Sequence, residues 1–176
     1  MNAILWDTAG QEDFVNVRKL TYDQTDIFLV VYSVVSQNSF ANLKSKWLPE
    51  LRQQVGQRLR WVLVGNKCDM LTDEKTMADM KAAGETPVSE KDAKKFGKEN
   101  GAELFLTCTG RDVDSVNGVF HEVLKLVVQR DLKQLKKDKK QWEKELKEEK
   151  KLEEKMAKLA LKEEKRSSKR TSNTTA

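Results

Sequence analysis

Four short apolar runs punctuate the first 110 residues: Ala3–Trp6, Ile27–Ser33, Trp61–Val64 and Leu104–Cys108. Each is rich in β-branched or aromatic residues and nearly continuous in apolarity, the pattern of strands covered on both faces. Between them, apolar positions recur at helical spacing over 40–55, over 89–100 and from Val116 onward. Ser89-Glu90-Lys91-Asp92 has the form of a capping box, and Asn100-Gly101 that of a helix stop. The alternation predicts βαβαβαβα, hence a parallel sheet with right-handed crossovers. In the last helix Val116, Val119, Phe120, Val123, Leu124 and Val127 form one stripe that is expected to face the sheet.

Beyond Gln129 the pattern thins. Leu132, Leu135, Trp142, Leu146, Leu152, Met156 and Leu159 are scattered among Lys and Glu, with no Gly or Pro to stop a helix. Glu143 with Lys147 and Glu154 with Lys158 are i,i+4 pairs in the favourable direction. Lys139 and Glu149 fall where a heptad seam would run, so a solvated helical extension is favoured over a coiled coil. The expected organisation is a globular domain over 1–129, a charged helical extension over 130–166 and a Ser/Thr/Asn-rich disordered tail over 167–176.

Charge follows the same division. Residues 130–176 hold 17 Lys or Arg against 10 Asp or Glu, whereas residues 1–129 hold 16 against 18. The net charge of +5 is therefore a property of the tail, with no aromatic-interleaved basic patch or zinc spacing to suggest a nucleic-acid polymer as partner. Cys68 and Cys108 stand far apart in apolar runs and read as free thiols in a reducing compartment. No leader-like segment or run long enough to span a bilayer is visible, so a cytoplasmic location is expected. Lysine pairs such as Lys136-Lys137 and Lys150-Lys151 leave a weak peripheral contact with anionic membrane open, although the interleaved glutamates favour a solvated face. His121 has no second ligand at i±4 and reads as a helix-surface histidine.

Candidate chemistry gathers where strands end, since ligands of an open parallel sheet bind beyond the carboxyl ends of its strands. Asp7 closes the first run and could hold a Mg²⁺-bound water. Gly10, lacking a Cβ, could bring its N–H to a phosphate, and the Gln11 amide could orient an attacking water. After the third run comes Asn66-Lys67-Cys68-Asp69. A carboxylate at Asp69 can accept both N1–H and N2–H₂ of guanine, a pair that adenine does not offer. Lys67 supplies an aliphatic stem to lie over a base, and Asn66 an amide to tie neighbouring loops. Cys108-Thr109-Gly110, after the last run, could aim backbone N–H groups at guanine O6.

In this order the motifs resemble the Ras superfamily of small GTPases and, within it, the Rho/Rac branch. Trp6-Asp7-Thr8-Ala9-Gly10-Gln11-Glu12-Asp13-Phe14 resembles the Rho form of switch II. Lys46-Trp47-Leu48-Pro49-Glu50 resembles the Rho third-helix signature, Ser33-Val34-Val35-Ser36 a Rac-like strand end, and 72–87 the charged Rho insert helix. The resemblance covers Ala3 to about Val128. It implies an α/β fold, the parallel-sheet G domain of a P-loop NTPase, followed here by a long charged C-terminal helix. It also implies a switch that binds GTP or GDP with Mg²⁺, meets Rho-type regulators and effectors, and acts on the actin cytoskeleton in signal transduction. The site it implies has Gln11 as catalytic residue, Asp7, Thr8, Ala9 and Gly10 near phosphate and Mg²⁺, and Asn66, Lys67, Asp69, Cys108, Thr109 and Gly110 around guanine. Trp6 would lie on the regulator and effector surface.

Departures from the family are equally specific. The eight glycines, at 10, 56, 65, 84, 97, 101, 110 and 118, form no Gly-x-x-x-x-Gly-Lys-Ser/Thr. The expectation is an incomplete G domain whose first two strands, phosphate loop, first helix and switch I are missing, and which does not hydrolyse GTP unaided. The alternative reading is a non-catalytic interaction module using the switch II surface and the charged helix. Ser115 replaces a glycine common in the family and is expected to alter the turn into the last helix. The sequence ends without a Cys-a-a-X box, so no prenyl anchor is expected. Loss of a central strand would leave a gap of roughly 9.6 Å, two strand spacings. Either Ala3–Asp7 closes it by pairing with Ile27–Ser33, or that edge stays open.

Overall fold

The computed structural model describes the backbone of residues 3–8 and 15–172, and side-chain surroundings for 3–8, 16–156 and 158. Contacts divide the chain into two units, 1–127 and 128–176. The first is a mixed α/β unit. Its elements are α1 (Val15–Leu20), β1 (Phe28–Ser33), α2 (Gln37–Asn42), α3 (Leu48–Val55), β2 (Trp61–Asn66), α4 (Glu74–Ala82), α5 (Glu90–Glu99) and β3 (Leu104–Thr107). A final helix, α6 (Val113–Ser172), begins in this unit and continues as the second.

The strands form one parallel sheet in the order β1-β2-β3. Three of the four apolar runs are thus strands. Only the central one, β2, is buried along almost its whole length. Its alternation feeds two cores. Trp61 and Leu63 pack with Val30, Tyr32, Leu43, Leu48, Leu51, Val88 and Ala93 on one side. Val62 and Val64 pack with Cys108, Val119 and Val123 on the other. Helices therefore cover both faces, which is why β2 contains no polar alternation.

Ala3–Trp6 is the exception. The segment 3–8 is irregular, and Ile4, Leu5 and Trp6 are 79, 67 and 58% exposed. The expected first strand is not formed, and among the described residues β1 has a partner only in β2. A strand exists through the ladder it joins, and apolar content alone does not create one. Of the two outcomes foreseen for this edge, the described residues show the open one.

The helix-period segment 40–55 is three pieces: α2, a wide π turn over Leu43–Trp47, and α3. Pro49 explains the join, since it lacks an N–H and its ring would clash with the carbonyl four residues back in a regular helix. The turn carries Trp47 to the buried Arg18, whose guanidinium lies 5.2 Å from the ring centroid. Arg18 donates to both Glu50 carboxylate oxygens at 2.9 Å, and the Tyr22 hydroxyl donates to Glu50 Oε1 at 2.7 Å. These polar contacts join α1 and the turn after it to α3.

The other helix boundaries follow local chemistry. Ser89 caps α5 by accepting from Asp92 N–H, and Asn100 ends it ahead of Gly101 at φ 82°. Asp73 caps α4, the helix within the 72–87 segment. In α6, Val119, Val123 and Val127 are buried as expected, but Leu124 is exposed and Leu126 packs on the sheet instead. The helix runs through Ser172, past the boundary expected at 166, and 173–176 lie outside the described residues. No helix among the described residues is long and apolar enough to cross a membrane.

Candidate functional site

In the parallel register of β2 and β3, Gly65 faces Thr107, so the loops after these strands leave the same edge of the sheet. Gly65 allows the approach of Tyr32, because a Cβ there would come within 3.0 Å of the Tyr32 hydroxyl oxygen and of a Val34 methyl. Burial pushes that Tyr32 hydroxyl up to a pKa of about 12, and it stays protonated in the core.

Asn66 is the knot of the two loops. Its Oδ1 accepts from Lys67 N–H at 2.7 Å and from Gly110 N–H at 3.0 Å. Backbone bonds from Cys68 N–H to the Cys108 carbonyl, 3.2 Å, and from Cys108 N–H to the Gly65 carbonyl, 2.8 Å, reinforce it. Lys67 sits at φ 66°, ψ 35°, a left-handed conformation that costs a non-glycine residue about 1–2 kcal/mol. That turn starts the short 3₁₀ segment Cys68–Leu71, which brings Asp69 across to the second loop. There Asp69 Oδ1 accepts from the Thr109 hydroxyl at 2.7 Å, and Oδ2 lies 3.6 Å from the Arg111 guanidinium.

Asn66, Lys67, Asp69, Thr109, Gly110 and Arg111, with Val35, Met70 and Thr76, line one open cleft of about 430 Å³. It has a carboxylate at its wall, the exposed Lys67 stem at its mouth and apolar Val35 and Met70 beside them. A carboxylate acceptor beside apolar surface is compatible with a flat, hydrogen-bonding base. Cys108 is buried beneath the cleft, its Sγ 3.7 Å from Asn66 Oδ1, and does not line it. Burial raises the Cys68 and Cys108 thiols above their ordinary value, so both are packing groups and not nucleophiles.

The expectation that Cys108-Thr109-Gly110 aims N–H groups outward is not met. Cys108 N–H serves the Gly65 carbonyl, Thr109 N–H the Ser115 hydroxyl oxygen at 3.1 Å, and Gly110 N–H the Asn66 amide. All three are used to hold the loop. Ser115, flagged in the sequence as a substitute for glycine, is thus a tether between loop and helix. Arg111 carried no signal at all: a lone arginine after a glycine is ordinary, and only its position over Asp69 singles it out.

On the phosphate side the structure assembles less. Asp7 and Thr8 lie on the exposed irregular segment and do not line the cleft, while Ala9, Gly10 and Gln11 fall outside the described residues. No group of three or more His, Cys, Asp or Glu that could hold a metal occurs among the described residues. The lining of the cleft is compatible with a nucleobase, and among the described residues none builds a Mg²⁺ or triphosphate cradle.

A parallel sheet between helical layers, with a cleft where two strand-end loops meet, defines an open α/β class whose ligands bind beyond the carboxyl ends of the strands. The chain belongs to the Ras family, whose model matches residues 1–129. It is also similar to the Rho-related protein racL of Dictyostelium discoideum, with 34% identity over 139 residues, 79% of this chain and 71% of that protein. That likeness makes it Rho/Rac-like within the small GTPases.

Proposed function

We propose that this chain is a Rho-type guanine-nucleotide protein that holds the guanine base in the cleft between the Asn66–Asp69 and Cys108–Arg111 loops. The observation that carries the reading is the convergence of Asn66, Asp69, Thr109 and Gly110 through direct hydrogen bonds, with Asp69 at the wall of the cleft. Asp69 takes the base edge, Lys67 covers its face, and Asn66 fixes both loops. GTP or GDP with Mg²⁺ is the ligand this assigns, with Asp7, Thr8, Ala9 and Gly10 nearest the phosphates and Mg²⁺, and Gln11 directing water. Hydrolysis is assigned to a protein that also carries a Gly-x-x-x-x-Gly-Lys-Ser/Thr loop, and not to these 176 residues unaided. Regulators and effectors of the Rho type, signalling to actin in the cytoplasm, are the partners this reading implies.

Titrating the purified chain with a fluorescent GDP in Mg²⁺ tests the proposal. Saturable binding is expected. Asp69→Ala removes two charge-assisted bonds worth about 1.5–3 kcal/mol each and weakens binding at least about 100-fold. Binding that ignores the substitution would refute the assignment. A second reading, a module that binds a protein partner without nucleotide, draws on the exposed Ile4-Leu5-Trp6 segment. It gains if no nucleotide binds and loses if binding saturates.

A further inference from the structure

The second unit is a helix with a row of uncovered apolar side chains. Leu132, Leu135, Trp142 and Met156 are 52, 64, 62 and 62% exposed. Together with Leu146 they occupy the a and d positions of one heptad frame that runs from 132 to 156. Three seam positions in that frame are charged: Lys139, Glu149 and Glu153. Taken one copy at a time, these charges break the seam.

We propose that this face is a self-association surface whose occupant is a second copy of the same helix, running antiparallel. In a parallel pair each seam residue meets its own counterpart, which places Lys139 on Lys139, Glu149 on Glu149 and Glu153 on Glu153. All three layers repel. Antiparallel pairing matches a positions with d positions, and the register that sets Leu132 against Met156 sets Leu135 against Glu153, Lys139 against Glu149 and Trp142 against Leu146. Each layer occurs twice about a two-fold axis, the self-complementary geometry of a closed dimer. Two Trp142–Leu146 layers then form the centre, a Lys139–Glu149 layer of opposite charge flanks each side, and Leu132–Met156 layers lie outermost. Lys139 and Glu149, which interrupt the heptad in one copy, complement each other across two, while Glu153 faces Leu135, and a polar layer such as Lys139–Glu149 specifies register and orientation. Lys136, Glu143, Glu145 and Lys150 beside the seam stay solvated, where ion pairs and like-charge contacts are worth little. The seam layers therefore decide the pairing.

Sedimentation equilibrium of the full chain, from about 1 μM to about 200 μM, reads the result directly. The weight-average mass is expected to rise from 20.2 kDa toward twice that value. Lys139→Glu and Glu149→Lys each put like charges into two layers, and each weakens the dimer at least about tenfold. The double variant K139E/E149K restores opposite charges and recovers the wild-type constant to within about threefold. Trp142→Ala weakens the dimer as well, and circular dichroism shows all variants equally helical. A chain that stays monomeric throughout overturns the proposal. So does a dimer that the single charge changes leave untouched, as parallel pairing would, or one that the double variant does not restore.

Discussion

Asp69 is the residue on which the proposed guanine site turns, and its two oxygens are already engaged within the chain. One accepts from Thr109 and the other faces Arg111 across 3.6 Å. Arg111 is well exposed, with a side-chain accessibility of 76%, so this pair is a surface ion pair worth about 0.2–1 kcal/mol. A guanine edge approaching Asp69 has to displace it. Arg111→Ala is therefore expected to tighten guanine-nucleotide binding by about twofold to fivefold in the fluorescent titration, an effect that shrinks in high salt. Weaker binding in that variant would mean that Arg111 contacts the ligand and does not compete with it. The sequence already indicated Asn66 and Asp69, because their chemistry is local to one loop. It did not reveal Arg111 or the tether through Ser115, since both roles depend on how β3 and α6 position a second loop. It also suggested outward-pointing N–H groups at 108–110, where in fact the loop consumes its own donors.

At the scale of elements, the polar contact between α1 and α3 was the least legible feature. Arg18, Tyr22 and Glu50 are dispersed in sequence, and no periodicity marks them as neighbours. The hydrogen bonds from Arg18 hold the Glu50 carboxyl below its ordinary value, whereas burial, then the bond to Glu50, pushes the Tyr22 phenol up to about 12. A carboxyl lowered in the folded state stabilises the fold above its unfolded value of 4.5 and loses that contribution as pH falls through its lower folded value. A phenol raised in the folded state acts oppositely, stabilising below 10 and losing its contribution as pH rises toward about 12. Glu50→Gln is expected to cost about 2 kcal/mol at neutral pH in urea unfolding. The gap between wild type and variant then closes as pH falls below 4.5. A gap that stays constant to pH 3 would show that Glu50 acts through packing and not through charge. Strands β1 to β3 and helices α3 and α5 were legible because burial against a sheet imposes period and caps, whereas α4 was expected only from the family resemblance of 72–87. The π turn was hidden, since only Pro49 betrays it.

At the scale of the whole molecule, the family relationship and the parallel α/β order agree with the reading from Ala3 to about Val128. What the sequence could not decide was the fate of the first apolar run. Its letters suit a strand, yet whether it pairs depends on neighbours in space, and among the described residues the 3–8 segment is exposed and β1 pairs only with β2. The same limit governed the charged helix, where Lys139 and Glu149 interrupt the heptad of one copy and are set against each other only in the proposed antiparallel pair. The central claim is that the cleft between the β2 and β3 loops selects guanine. The direct measurement is displacement of a bound fluorescent GDP by unlabelled nucleotides in the same Mg²⁺ buffer. GDP and GTP are expected to displace it fully, while ADP and ATP require at least about 100-fold more, since adenine lacks the N1–H and N2–H₂ that Asp69 accepts. Equal displacement by adenine and guanine nucleotides, or the absence of any saturable signal, would contradict it.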